Sequence, residues 1–409
     1  MLEESEAIGS RVRRQRLRLG MPQADLAAEL GKTQGWVSKV ERGRIELDRA
    51  GLISQVATAL HCHPNDLIGR PYVAGRRSEN QWQVFAASIL RELRRYDLSP
   101  VFDGQLQASE QLWDKTVQLH RLRDAAANVA ILRELPDLLR EARALAEVSS
   151  GHEREEAYGI YGVCCKFAHT AAHGLGHPEL IAMACERAAW AARLSGDPVL
   201  PAVADWMRVW DMWATGDYAD CLSLTDKALL SIQREYEAGE VLAVRAWGSL
   251  QLRAAVSSAR ADDTAETRER IRLARAAAER DSSRTAPVFD RHSLTFSPGN
   301  VAIHSVSVQV EMANFSAALQ LHQRIDPGTV AVLPHSRLGH HQLDLARAWL
   351  GDGSRDKALT ALEQAERTAP QLIRNHPIAR ATLRKLVYAE RASTRERLRR
   401  MSNRFHLDG

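Results

Sequence analysis

The sequence predicts an all-α protein with a small five-helix unit at the amino terminus and a long array of helical hairpins after it. Apolar residues recur at three- and four-residue spacing through nearly all of the 409 residues. Helix-favouring alanine, leucine and arginine dominate, and runs of β-branched residues are scarce. Glycine and proline fall at the breaks between these periodic segments, for example at 20–22, 196–198 and 351–353.

The first unit is predicted to span residues 1–70, followed by a polar linker at 71–80 and by the array at 81–409. Its helices are expected at 7–19, 23–30, 33–41, 49–60 and 65–68. Only Gly31 and Lys32 join the second helix to the third, so the turn must be tight. Gly31 can take the left-handed conformation that ends a helix, and Thr33 can cap the next one. This arrangement predicts a helix-turn-helix motif.

The charge distribution also singles out this unit. The whole chain carries a formal net charge of only +4, so any surface for a polyanion must be local. Residues 7–49 contain ten lysines and arginines but five acidic residues, an excess as large as that of the entire chain. A basic helix-turn-helix unit is typical of proteins that bind nucleic acid.

The run PQADLAAELGKTQGWVSKVERGR at 22–44 resembles the Cro/repressor-type helix-turn-helix domain of the XRE family. One departure is Gly35-Trp36, where small polar residues are more usual. A phosphate-binding P-loop is excluded at Gly31-Lys32-Thr33, because that motif needs a glycine at position 26, which is leucine.

The resemblance implies that the third helix reads double-stranded operator DNA. Gln23 and Arg42 are then expected to hold phosphates, Gln34 to reach a base edge, and Lys39 to contact guanine or phosphate. Trp36 is expected to pack on DNA or against its own domain. A solvated basic helix is the alternative interpretation. The predicted DNA-binding set is Gln23, Lys32, Thr33, Gln34, Gly35, Trp36, Ser38, Lys39, Arg42 and Arg44.

The array contains segments that resemble tetratricopeptide (TPR) repeats. The pattern of small and large residues is closest at 339–370, with further copies at 202–232 and 299–326 and a weaker one at 158–194. We expect five to seven such hairpins. Stacked hairpins of this kind curve and present a concave surface.

Candidate ligand-binding residues follow from that curvature. Trp206, Trp210 and Trp213 form one stripe on a first helix, Asn300 is assigned to the first helix of the 299–326 copy, and Arg245 to the helix between these two copies. These five residues are predicted to bind a peptide or another small ligand. The alternative is that the tryptophans are packed between hairpins.

The combination of the two parts resembles cytoplasmic quorum-sensing regulators of the RRNPP-like group. That resemblance implies a homodimeric transcription regulator, in the cytoplasm and associated with the nucleoid, whose array binds a signal peptide. Two alternatives remain: a constitutive DNA-binding protein whose array is a protein-interaction scaffold, or a sensor of a metal or small molecule.

Catalysis, cofactors and membrane insertion are not expected. The sequence lacks GxSxG and HExxH motifs, and no GxGxxG follows a strand. His169, His173 and His177 have a spacing that could suit a metal, but Gly174 and Gly176 interrupt the helix, so no metal site is predicted. The five cysteines form no CxxC pair, which favours a reducing compartment. Neither a signal peptide nor a membrane-spanning run is recognisable.

Overall fold

The computed structural model describes residues 8–62, 64–68, 82–281, 289–388 and 394–407. In these ranges the regular structure is α-helical throughout, which confirms the predicted fold class. None of the described helices is long and apolar enough to cross a membrane. The predicted linker at 71–80 lies outside the described residues, so the proposed division of the chain stays a prediction.

The amino-terminal unit contains α1 to α5, and their bounds lie within a few residues of those predicted. They are α1 Ile8–Arg18, α2 Gln23–Glu29, α3 Gln34–Glu41, α4 Ala50–Ala59 and α5 Pro64–Ile68.

The turn between α2 and α3 forms as the sequence predicts. Gly31 has a φ of +60°, in the left-handed region that favours glycine. The Thr33 hydroxyl accepts a hydrogen bond of 3.2 Å from the backbone N–H of Trp36 and caps α3. Leu26 and Val37 are both 1% exposed, and they pack α2 and α3 into one apolar core. The short turn, the cap and the shared core therefore hold the second and third helices together as a helix-turn-helix.

The remaining helices form the array. They are α6 Trp82–Arg94, α7 Ser109–Asp124, α8 Asn128–Val148, α9 Gly151–Leu175, α10 Pro178–Ala192, α11 Leu200–Met212, α12 Tyr218–Ser231, α13 Gln233–Glu237, α14 Val241–Arg260, α15 Thr264–Arg280, α16 Pro298–Glu311, α17 Phe315–Gln323, α18 Pro327–Ala331, α19 His335–Gly351, α20 Arg355–Thr368, α21 Pro370–Asn375, α22 Pro377–Tyr388 and α23 Arg395–Phe405.

Consecutive helices pair into hairpins, including the four segments in which the sequence predicts them: α9/α10, α11/α12, α16/α17 and α19/α20. A common turn joins six of the pairs. One residue at each turn has a positive φ, between 53° and 85°, and the next residue begins the capping turn of the second helix. These residues are Ala126, Gly176, Gly216, Asp262, Ala313 and Gly353. The six turns therefore share one backbone geometry although their side chains differ.

The carboxy-terminal hairpins return to the beginning of the array. The Asn375 side-chain amide donates a hydrogen bond of 3.4 Å to the carbonyl of Gly174 in α9. The backbone N–H of Val129 in α8 donates one of 3.2 Å to the Gln371 side chain. Helix α21, late in the array, therefore contacts the early helices α8 and α9.

The amino-terminal unit is docked on the array through α4 and the segment before it. Lys385 of α22 forms an ion pair of 2.7 Å with Asp48. The hydroxyls of Ser54 and Tyr218 are 3.3 Å apart. At Gly51, an added Cβ would lie only 2.5 Å from the backbone oxygen of Arg260, so α4 approaches the end of α14 as closely as a glycine allows.

Candidate DNA-binding surface and interior cavity

The outward face of α3 carries the predicted base-reading residues. Gln34, Gly35, Lys39 and Arg42 are exposed, and Ser38 is half-buried among them. Their helical spacing places them on one face of α3. Among the described residues, the side chains of Lys39 and Arg42 make no ion pair or hydrogen bond, which leaves them available to another molecule. Lys32, Thr33 and Arg44 are exposed at the two ends of the same helix.

Trp36 is half-buried and packs against the core of the amino-terminal unit. Part of its indole therefore stabilises the domain, which favours the second of the two interpretations of this residue. The part that remains exposed adjoins the face of α3.

Gln23 is half-buried and belongs to a polar network inside the unit. Its side-chain amide donates a hydrogen bond of 2.8 Å to the Glu41 carboxylate. Arg16 of α1 donates two more to the same carboxylate, of 2.5 and 3.0 Å, and pairs α1 with α3. Although burial opposes it, these hydrogen bonds hold the pKa of Glu41 below its ordinary value. The predicted phosphate contact at Gln23 would have to be made beside this anchored carboxylate.

Sequence reasoning gave no role to the basic face of α1. Arg13, Arg14 and Arg18 are exposed and border a shallow cleft that reaches Glu41 of α3. The signal was present in the run RVRRQRLR, which contributed to the basic excess but was not assigned to individual contacts. These side chains widen the positive surface beside α3.

A cavity of about 290 Å³ lies between the amino-terminal unit and the array. Helices α4 and α5 supply one wall, formed by Ile53, Ser54, Pro64 and Ile68. The other walls come from α9, α11, α14, α16, α19 and α22 of the array. Their polar and aromatic lining residues are His173, Trp210, Trp213, Arg253, Arg260, His304, Ser307, Glu311, Arg337, His340, His341, Asp344, Arg347 and His376.

The three tryptophans of the predicted stripe border different parts of the interior space. Trp206 is only 4% exposed and borders a narrow extension of the cavity, whereas Trp210 and Trp213 line the cavity itself. The Arg253 guanidinium of α14 lies 4.0, 4.5 and 4.7 Å from the ring centres of Trp206, Trp210 and Trp213. This cation–π arrangement fixes all three indoles around one buried charge.

The other two candidate ligand residues occupy different positions. Arg245 lies outside the cavity wall, and its Nε is 3.2 Å from the Asp281 carboxylate. Asn300 is 2% exposed and borders a narrow extension of the cavity with Arg253, His304 and Arg337. The Asn300 side-chain oxygen has no hydrogen-bond partner among the described residues.

The cavity has an excess of positive charge. Arg347 lies 3.0 Å from Glu311 and 3.2 Å from Asp344, and Arg260 lies 3.6 Å from Glu311. Burial opposes ionisation, but the adjacent arginines still hold the pKa of Glu311 below its ordinary value. These contacts use both carboxylates that line the cavity.

Four histidines of the cavity do not add to this charge at neutral pH. Burial lowers the pKa of His173 and of His304 to about 3, with the nearby arginines acting in the same direction. Burial likewise lowers the pKa of His341 and of His376 to about 4. Their rings are therefore neutral hydrogen-bonding groups.

The histidines of α9 serve an aromatic contact. His173 stacks on Trp210 with the ring centres 3.9 Å apart, and His169 lies at its edge. No group of three or more histidine, cysteine, aspartate or glutamate residues in the described ranges is placed to hold a metal ion.

Comparison with known proteins identifies the amino-terminal unit. A family model described as a helix-turn-helix domain matches residues 7–67. The crystal structure of Bacillus thuringiensis PlcR in complex with the peptide PapR7 and DNA is similar, with a TM-score of 0.27 and 14% sequence identity. That match covers 69% of this chain and 99% of PlcR. No curated protein matches this chain significantly.

Proposed function

We propose that the protein is a transcription regulator in which a ligand, bound in the interior cavity, controls how the helix-turn-helix domain is held. The DNA-binding part rests on the helix-turn-helix unit and its exposed basic face. The regulatory part rests on one observation: residues of α4 and α5 form a wall of the cavity. A molecule in that space would touch the DNA-binding unit and the array together.

The direction of the effect follows from binding linkage. A ligand that contacts both bodies binds best while they are docked, so it shifts the equilibrium toward the docked arrangement. The docked arrangement fixes where α3 points relative to the array. Ligand binding would thus restrict the orientations in which the domain can meet DNA.

We propose that the residues predicted to bind DNA make different contacts with it. Gln34 and Lys39 project from the exposed face of α3 and would reach base edges in the major groove, while Arg42 would hold a phosphate. Gln23, which lies at the start of α2 and beside Glu41, would contact a phosphate. Lys32, Thr33, Gly35, Ser38 and Arg44 would contact the backbone around them, with Trp36 packed partly against its own domain.

We further propose that the protein works as a homodimer on an operator with two half-sites, in the cytoplasm and on the nucleoid. Two copies of α3 could then enter successive major grooves, and their separation would depend on the orientation of each domain. In this proposal residues 71–80 link the two parts of the chain. The hairpins of the array are TPR-like, and the array forms the homodimer.

Mapping the DNA sites bound in cells, followed by titration of the full chain on one such operator, tests the proposed function. Fractions of a cell extract, added to the titration, should shift operator affinity in the wild-type protein. Operator affinity that never responds to extract or peptides would instead support a constitutive DNA-binding protein whose array is a scaffold.

A further inference from the structure

The cavity contains two guanidinium groups that no carboxylate neutralises. Arg253 is 6% exposed, and its Nε and one terminal nitrogen have no hydrogen-bond partner among the described residues. Arg337 forms no ion pair within the described ranges either. Both side chains line the cavity and also its narrow extension, so they face the same space.

Such an arrangement is costly without an acceptor. A buried guanidinium with unsatisfied N–H groups loses hydration that the protein does not replace. Repulsion adds to the cost, because burial and the charges of Arg337 and Arg260 lower the pKa of Arg253. The indoles stabilise the positive charge from the faces of the guanidinium plane. The N–H groups lie in that plane, however, and still need hydrogen-bond acceptors.

From this geometry we propose that the cavity binds a small ligand through an anionic group, a carboxylate or a phosphate, held by Arg253 and Arg337. The inference rests on the proposed function and specifies the chemical class of its ligand. Two oxygens of a carboxylate match the paired donors of a guanidinium, and phosphate offers the same geometry.

The surroundings set further limits on the ligand. A volume of about 290 Å³ lies at the lower end of small-molecule sites, so a small molecule or the end of a peptide fits and a folded partner does not. Trp210 and Trp213 offer aromatic surface next to the charge. The neutral rings of His304 and His376 can hydrogen-bond to polar groups of the ligand.

Matched probe pairs test the anion requirement on the full chain. Benzoate against benzamide tests a free carboxylate, N-acetyl-trialanine against N-acetyl-trialanine amide tests a peptide carboxyl terminus, and inorganic phosphate tests a phosphate. Tryptophan fluorescence and thermal stability report binding. At least one charged probe should bind saturably, and its uncharged counterpart should bind at least about tenfold more weakly. Equal responses to the charged and uncharged members of each pair, with no response to phosphate, would overturn the proposal.

Substitutions test the two arginines. Arg337→Met should weaken binding of the charged probe about tenfold or more. Arg253→Lys keeps the charge but loses the paired donors, so it should weaken binding by a smaller factor. Arg272→Met, at an exposed position of α15, is the matched control and should change nothing. Wild-type affinity in both cavity variants would overturn the assignment. If Arg253→Lys fails to fold, the result with Arg337→Met decides.

Hydrogen exchange separates this inference from the proposed function. Arginine-dependent binding without slower exchange in α4 would support the anion site and contradict control of the DNA-binding unit. Binding that slows exchange in α4 equally in wild-type protein and in Arg337→Met would support control and contradict the anion site.

Discussion

The two candidate sites differ in how they are built. The DNA-facing surface comes from one short segment of sequence: a turn, a cap and one face of α3 place Gln34, Lys39 and Arg42 together. The interior cavity is assembled from helices separated by up to several hundred residues, with Arg253 and Arg337 meeting only because α14 and α19 border the same space. The first surface is exposed and depends on local structure, whereas the second is buried and depends on the whole fold.

This difference indicates that a ligand could regulate DNA binding at the cavity rather than at α3. A surface made by one helix-turn-helix unit forms whenever that unit is folded. A cavity that uses α4 and α5 as a wall exists in full only while the unit is docked on the array. The following predictions test whether the two sites are separable in stability and coupled in function.

The largest effect should come from the ion pair that joins α1 to α3. Arg16→Met leaves the buried Glu41 carboxylate with one hydrogen bond fewer on each oxygen, and breaking such a pair typically costs about 3–5 kcal/mol. Hydrogen exchange in α1 and α3 should accelerate, and operator binding should fall, while the array keeps its stability. Arg272→Met, at an exposed position of α15, is the control. A loss spread evenly over the array would show that the two parts are not separable.

Acid should act mainly on the array. Burial lowers the pKa of His173, His304, His341 and His376 to about 3 or 4, below the ordinary histidine value. Below about pH 6.5 the unfolded chain therefore binds protons that the folded chain does not, and stability that is present above this pH is lost toward about pH 3.

Each of these histidines should contribute on the order of 1 kcal/mol of destabilisation between pH 7 and pH 5. Denaturant unfolding at the two pH values measures the loss, and His341→Gln should reduce it. Equal stability at both values would contradict the buried, neutral histidines.

Substitutions on the exposed face of α3 should change DNA binding without changing the stability of the protein. Gln34→Ala should cost about 1–3 kcal/mol of affinity and relax specificity at one base position. Arg42→Ala should weaken binding on all sequences and reduce the dependence on salt by about one ion. Titrations of operator at several salt concentrations measure both effects. An Arg42→Ala variant with full operator affinity at physiological salt would refute the phosphate contact.

The smallest effect is expected at the docking ion pair. Lys385 and Asp48 are both partly exposed, so Lys385→Ala should loosen the amino-terminal unit by less than about 1 kcal/mol. Hydrogen exchange in α4 should rise slightly, and added salt should reproduce the change in the wild-type protein. Exchange that ignores both the substitution and the salt would assign docking to the apolar and backbone contacts.

The sequence was informative where structure is local. Gly31, Thr33 and the four hairpin segments could be predicted because turns, caps and helical periodicity involve residues close in sequence. The Trp206, Trp210 and Trp213 stripe was also recognisable, but its contact with Arg253 was not, because Arg253 comes from another hairpin. Arg337 and the wall from α4 carried no local signal, because only the packing of helices far apart in sequence brings them together.

Operator affinity of Gly51→Ala tests the central claim most directly. The added Cβ meets the backbone oxygen of Arg260 at 2.5 Å and should disturb docking without altering α1 to α3. Gly328→Ala is the matched control, because its Cβ would meet only the Asp326 side chain at 3.4 Å. If docking governs DNA reading, Gly51→Ala should change operator affinity severalfold and Gly328→Ala should not. Identical affinities in wild type and Gly51→Ala would contradict the claim that the array controls the DNA-binding unit.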